Sequence, residues 1–93
     1  MDGDLEQRIK SAADVLRAHG AVEVYVFGSA ATGKLREHSD VDLAIVGLPP
    51  EIFFQAMADA ADILGRPVDL VDLADGGPLV DYLKRKGKLQ RVA

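Results

Sequence analysis

A glycine and a serine close one apolar run of this chain, and two aspartates open the next. The segment reads VYVFGSAATGKLREHSDVDLAIVG, with ten residues between Gly28-Ser29 and Asp40-Val41-Asp42. On a strand, side chains alternate between faces, so Asp40 and Asp42 project to one side while Val41 and Leu43 point to the other. Two carboxylates that close repel each other unless a cation sits between them. A pair of Mg²⁺ ions, about 3.5–4 Å apart, is the usual cation in phosphoryl and nucleotidyl transfer. A Gly-Ser turn just past a strand exposes backbone N–H groups that can hold a phosphate. The pattern points to a metal-dependent nucleotide site.

The elements that must position these residues follow from periodicity. Leu5, Ile9, Ala12, Ala13 and Leu16 recur every three or four residues, which predicts an amphipathic helix over 4–19 with Gly20 just beyond its end. Val22 to Phe27 reads as a strand, with Val22, Val24 and Val26 on one face and Tyr25 and Phe27 on the other beside Glu23. Ser29 to Thr32 suits a short helical turn capped by Ser29, and residues 33–39 read as a polar loop. Val41 to Val46 is a second strand. If Gly-Ser ends the first and Asp-x-Asp begins the second, and the two meet, the strands run antiparallel.

A helix is expected from Pro50 to about Leu64, stopped by Gly65 and Pro67, with Asp59 and Asp62 facing water. Pro67 to Leu73 reads as a third strand. A strand–helix–strand crossover of this length favours a parallel pairing of strands two and three, which carries Asp69 to the end of the sheet that holds Asp40. Asp72, three residues on, falls on the opposite side of that strand. Pro78 opens a last helix, with Leu79, Val80 and Leu83 as its apolar face. Lys84, Arg85, Lys86, Lys88 and Arg91 form a basic tail suited to a helix C-terminus.

Composition bounds the function. The 93 residues make one small domain, 1–93, that is 48% apolar and 28% charged, an ordinary globular balance. A net charge of −4 argues against a chain that lives by bulk contacts to a nucleic-acid backbone, while leaving room for a nucleotide whose charge Mg²⁺ meets locally. No cysteine is present, so thiolate metal sites are excluded, and oxygen ligands favour Mg²⁺ or Mn²⁺ over zinc. No apolar run approaches the roughly 18 residues of a membrane helix, and MDGDLEQR lacks a signal-peptide pattern. The expected compartment is the cytoplasm.

Other readings of the same residues are weaker. Residues 28–34 fit the first part of a phosphate-binding loop, G-x-x-x-x-G-K, but Leu35 stands where a Ser or Thr would hold Mg²⁺. Lys34 and Arg36 could reach a triphosphate or simply be solvated. His19 and His38 have no partner at a ligand spacing and read as surface residues, and Tyr25 reads as core.

The run Gly28-Ser29, ten residues, Asp40-Val41-Asp42 resembles the signature of the DNA polymerase beta-like nucleotidyltransferase superfamily. The small size and the trailing Val68-Asp69-Leu70-Val71 resemble its minimal nucleotidyltransferase (MNT) branch, over nearly the whole chain. The resemblance implies an α/β (α+β) nucleotidyltransferase fold: a small mixed sheet with flanking helices, in the order α-β-(short α)-β-α-β-α. It implies that Gly28 and Ser29 hold nucleotide phosphates, that Asp40 and Asp42 bind two Mg²⁺ ions, and that Asp69 completes the set. It further implies ATP as substrate and a HEPN-type toxin as partner, with this chain the antitoxin. The toxin would be neutralised either by transfer of AMP to a hydroxyl, notably a tyrosine, or by tight complex formation alone.

Overall fold

The apolar stripe of the first helix is where the core begins. In the computed structural model, which describes residues 3–28, 31, 40–86 and 89–93, helix α1 spans Gly3–Ala18 and buries Ile9, Ala12, Ala13 and Leu16. Asp4 and Glu6 lie in its first turn, where the helix dipole favours negative charge. The expected Ser29 cap, the loop over 33–39 with Lys34, Arg36 and His38, and Lys88 in the tail lie outside the described residues.

Strand β1 (Glu23–Phe27) pairs antiparallel with β2 (Val41–Val46), as the proposed meeting of Gly-Ser and Asp-x-Asp requires. A single turn, Pro50–Ile52, leads into helix α2 (Phe53–Leu64). Gly65 ends α2 in the left-handed region (φ 70°, ψ 23°), its N–H donating to the Ala61 carbonyl at 2.8 Å. That conformation is cheap only for glycine. The chain returns as β3 (Val68–Asp72), parallel to β2. Helix α3 (Pro78–Lys86) follows, and a two-residue strand, β4 (Gln90–Arg91), pairs antiparallel with the free edge of β1. The sheet order is β3-β2-β1-β4.

Arg91, expected in a basic tail, lies in β4, an element that no periodicity of the sequence signals. Two residues show no alternation, and their conformation is set by the β1 edge they meet. Backbone bonds extend that contact to the end of the chain, Val92 N–H to the Val24 carbonyl (2.9 Å) and Val24 N–H to the Ala93 carbonyl (3.0 Å). Val22, expected on the buried face, precedes β1 and is exposed, because the strand begins one residue later.

Each face of the sheet is covered. Val24, Val26, Val41, Leu43, Ile45 and Val68 pack under α1 and α2 in the larger apolar cluster. Phe27 and Ala44 face the other way and cluster with Leu73, Val80 and Leu83 at α3. Since Asp42 alternates with Val41 and Leu43, it belongs to the α3 side.

Helices α1 and α2 touch through small residues, Ala12, Ala13, Ala56 and Ala60, all essentially inaccessible. Above them, the His19 Nε2 lies 2.8 Å from Asp59 Oδ2, while Gln55 Nε2 donates to Asp59 Oδ1 at 2.9 Å. His19 was expected to be a lone surface side chain and Asp59 to face water. Their partnership spans 40 residues of sequence, so no local spacing could reveal it. The His19 bond, and after it the Gln55 amide, hold the Asp59 carboxyl below the ordinary aspartate range.

An overpacked helix contact tests this arrangement. Ala60→Leu should lower the unfolding free energy by about 1–3 kcal/mol, read as a drop in the urea midpoint at unchanged slope.

Candidate active site

Three neighbouring strands bring three residues into one row: Phe27 of β1 is opposite Asp42 of β2, and Asp42 is opposite Asp69 of β3. The register is fixed by backbone bonds at both ends of the parallel pair, Val41 N–H to the Pro67 carbonyl (3.0 Å) and Leu73 N–H to the Ile45 carbonyl (2.9 Å). A slip by one residue would turn Asp69 to the opposite face. Asp69 therefore stands beside Asp42, at the end of the sheet where β2 begins just after Asp40. Asp40 lies immediately before β2 and is exposed. Asp72, the competing carboxylate, is opposite Ile45 and accepts from the Ala74 N–H at 2.9 Å.

Gly28 follows Phe27 with φ +66°, and a side-chain carbon placed on it would overlap the Asp42 carboxylate. The glycine is thus required twice, by its backbone conformation and by the closeness of Asp42. The Ala31 N–H donates to the Gly28 carbonyl at 3.2 Å, and Ala31 is helical, as the short turn after the first strand predicts. Ser29, the expected phosphate-binding partner, lies outside the described residues.

The electrostatics of the pair are unfavourable as they stand. Asp42 is half-buried, and its carboxyl holds its proton above the ordinary aspartate range. Burial is the largest cause, followed by the charge of Asp69, a hydrogen bond between the Asp42 and Asp69 carboxyls, and the charge of Asp40. Among the described residues, no three acidic or imidazole side chains converge as a ready metal cage. The donors brought together are two, Asp42 and Asp69, with Asp40 acting on Asp42 through its charge.

One feature of the site escaped the sequence. Residues Leu79, Tyr82 and Leu83 of α3, with Phe27 and Ala31, line a groove of about 360 Å³ that Gly28 and Asp42 also border. Leu83 is buried, while Leu79 and Tyr82 are about half exposed. The spacing 79, 82, 83 marks one stripe of a helix, but only the fold shows that this stripe shares a groove with Asp42.

The family model described as "Polymerase beta, Nucleotidyltransferase" matches residues 9–89. The chain belongs to this family. No curated protein sequence is significantly similar to this nucleotidyltransferase. Among solved structures, it is similar to a candidate minimal nucleotidyltransferase, at 29% identity and a TM-score of 0.75 over 96% of this chain and 91% of the other. A toxin–antitoxin complex with AMP-PNP gives 25% identity and a TM-score of 0.73 over 95% of this chain and 72% of the other. The fold alone is also shared, at 20% identity and a TM-score of 0.68, with a chain of a complex between a tri-AMPylated HEPN toxin of Shewanella oneidensis and its MNT antitoxin. That likeness covers 96% of this chain and 71% of the other.

The charge crowding predicts a stability profile. Because the folded Asp42 binds its proton more tightly than the unfolded chain does, its contribution is fully present below the ordinary aspartate pKa and lost as pH rises through the folded value. Asp42→Asn should therefore raise Tm at pH 7 in the absence of divalent ions, with the gain shrinking toward pH 3, followed by calorimetry.

Gly28→Ala should cost about 1–3 kcal/mol for the positive φ alone. It should also displace the Asp42 carboxylate, visible as loss of the pH dependence that Asp42 confers.

Proposed function

We propose that this nucleotidyltransferase is a Mg²⁺-dependent adenylyltransferase and an antitoxin, moving AMP from ATP to a hydroxyl of a HEPN-type toxin, with tyrosine the favoured acceptor. The observation that carries the reading is the crowding of Asp42 against Asp69 and Gly28 at one end of the sheet. A half-buried carboxylate whose proton affinity is raised by burial and by a neighbouring carboxylate is a ready site for a hard divalent cation, and an all-oxygen donor set suits Mg²⁺. The likeness to a toxin–antitoxin chain crystallised with AMP-PNP supports a nucleotide substrate and a protein partner. The fold shared with a partner of a tri-AMPylated toxin is consistent with both.

In this proposal, Asp40 and Asp42 would hold two Mg²⁺ ions and Asp69 would complete one shell. When bound, the ions offset phosphate charge and acidify the acceptor hydroxyl. Gly28 and Ser29 would seat the triphosphate through backbone N–H groups. The acceptor oxygen attacks the α-phosphorus in line, the bond from that phosphorus to the β-phosphate oxygen breaks, and pyrophosphate leaves with the electron pair. Asp69 is exposed where Asp42 is half-buried, so it is better placed than Asp42 to take the proton from an acceptor arriving from solvent.

A second reading is a binding module that silences its partner by covering it. Exposed Phe54, Leu79 and Tyr82 favour a protein-facing surface, and the structural neighbours include complexes.

Incubation with the partner encoded beside it, Mg²⁺ and ATP labelled at either the α- or the γ-phosphate separates the two. Label moving to the partner only from the α position is the expected result, and Asp42→Asn should reduce it at least about 100-fold, the scale of losing positioned charge stabilisation. Transfer only from the γ position would make the protein a kinase. A stable complex without transfer, unchanged in Asp40→Asn and Asp42→Asn, would establish the binding module.

A further inference from the structure

The groove beside Asp42 has a chemistry of its own. Five of its lining residues, Phe27, Ala31, Leu79, Tyr82 and Leu83, present hydrocarbon or aromatic surface. Among the described residues the groove is also lined by Gly28 and Asp42, which belong to the proposed phosphate and metal site. An occupant must therefore join a flat apolar body to a strongly anionic end, and a nucleoside triphosphate does so. Its phosphates would lie with the cations at Asp42 and Gly28, and its base would turn into the groove. The volume, about 360 Å³, falls within the range of small-molecule sites and exceeds the need of a single side-chain ring.

Helix α3 supplies the base-facing surface. Val80 and Leu83 anchor it to the sheet, being 3% exposed each, which leaves Leu79 and Tyr82 on the groove side at 51% and 45%. A large aromatic left this open carries no folding role that its burial would explain. It offers a π-face on which any base can stack. No shift in the charge state of the site is needed for this contact, and it is separate from the carboxylates that do the chemistry.

We propose that Tyr82 is the platform on which the nucleobase stacks, with Leu79 and Phe27 completing the slot, so that α3 positions the nucleotide while the strand ends react. The proposal rests on the nucleotide-transfer reading above. Tyr82 is on this account a positioning residue, since the base is remote from the reacting phosphorus.

Binding measurements distinguish this proposal from that reading. With Mg²⁺ present, the affinities of a non-hydrolysable ATP analogue and of inorganic triphosphate are compared in wild type, Tyr82→Ala and Tyr82→Phe, each checked for folding by circular dichroism and Tm. Tyr82→Ala should weaken the analogue by roughly 5- to 150-fold, the span of aromatic stacking on one base. It should leave triphosphate binding unchanged, and Tyr82→Phe should bind both as wild type does. In turnover, KM for ATP should rise with little change in kcat. If wild type binds the analogue and Tyr82→Ala binds it equally well, the stacking proposal is overturned while the nucleotide site stands. Equal losses for analogue and triphosphate would also overturn it, because the side chain would then act on the phosphate end. A rise confined to the KM of the protein acceptor would reassign the groove to that acceptor. If wild type binds neither molecule, both readings fall.

Discussion

The molecule turns on like charges held together. Asp42 and Asp69 are placed opposite one another by the parallel pairing of β2 and β3, and the Asp42 carboxylate occupies space that only a glycine at position 28 leaves open. Burial and the neighbouring charges make its ionised form unfavourable. A fold of this size has only a small margin of stability, about 5–15 kcal/mol, so such crowding is tolerable only where the surroundings are rigid. The backbone bonds at the two ends of the β2–β3 pair and the apolar clusters on both faces of the sheet supply that rigidity.

The division of labour between the faces follows from this. Under α1 and α2 lies the larger core, built from alternate residues of β1, β2 and β3 and close-packed through alanines. The opposite face is only partly covered by α3, whose buried anchors are Val80 and Leu83. The aspartates sit on the less covered face. The main core lies on one side of the sheet and the candidate site on the other.

The parts of the site differ in how they respond to change. Gly28 is constrained by its own backbone and by Asp42 at once, so substitution there acts on folding and on charge placement together. Asp69 is exposed, which makes its replacement mainly a chemical change. Tyr82 is half exposed on a helix held by other residues, so its removal leaves the fold's anchors in place.

Much of this was written in local patterns. The stripe of α1, the alternation around Asp42, the Gly65 stop and the Pro67 restart gave the helices, three strands and the antiparallel-then-parallel pairing, because each depends on side chains within a few residues of one another. The Asp-x-Asp pair at a strand start, ten residues after Gly-Ser, marked the candidate site for the same reason. Only tertiary structure could decide that Asp69 faces Asp42, that β4 forms on the edge of β1, that His19 meets Asp59, and that Tyr82 lines a groove with Asp42. Each of these joins residues from separate elements, and register, edge pairing and helix rotation are settled by packing of the whole chain, which no local spacing encodes.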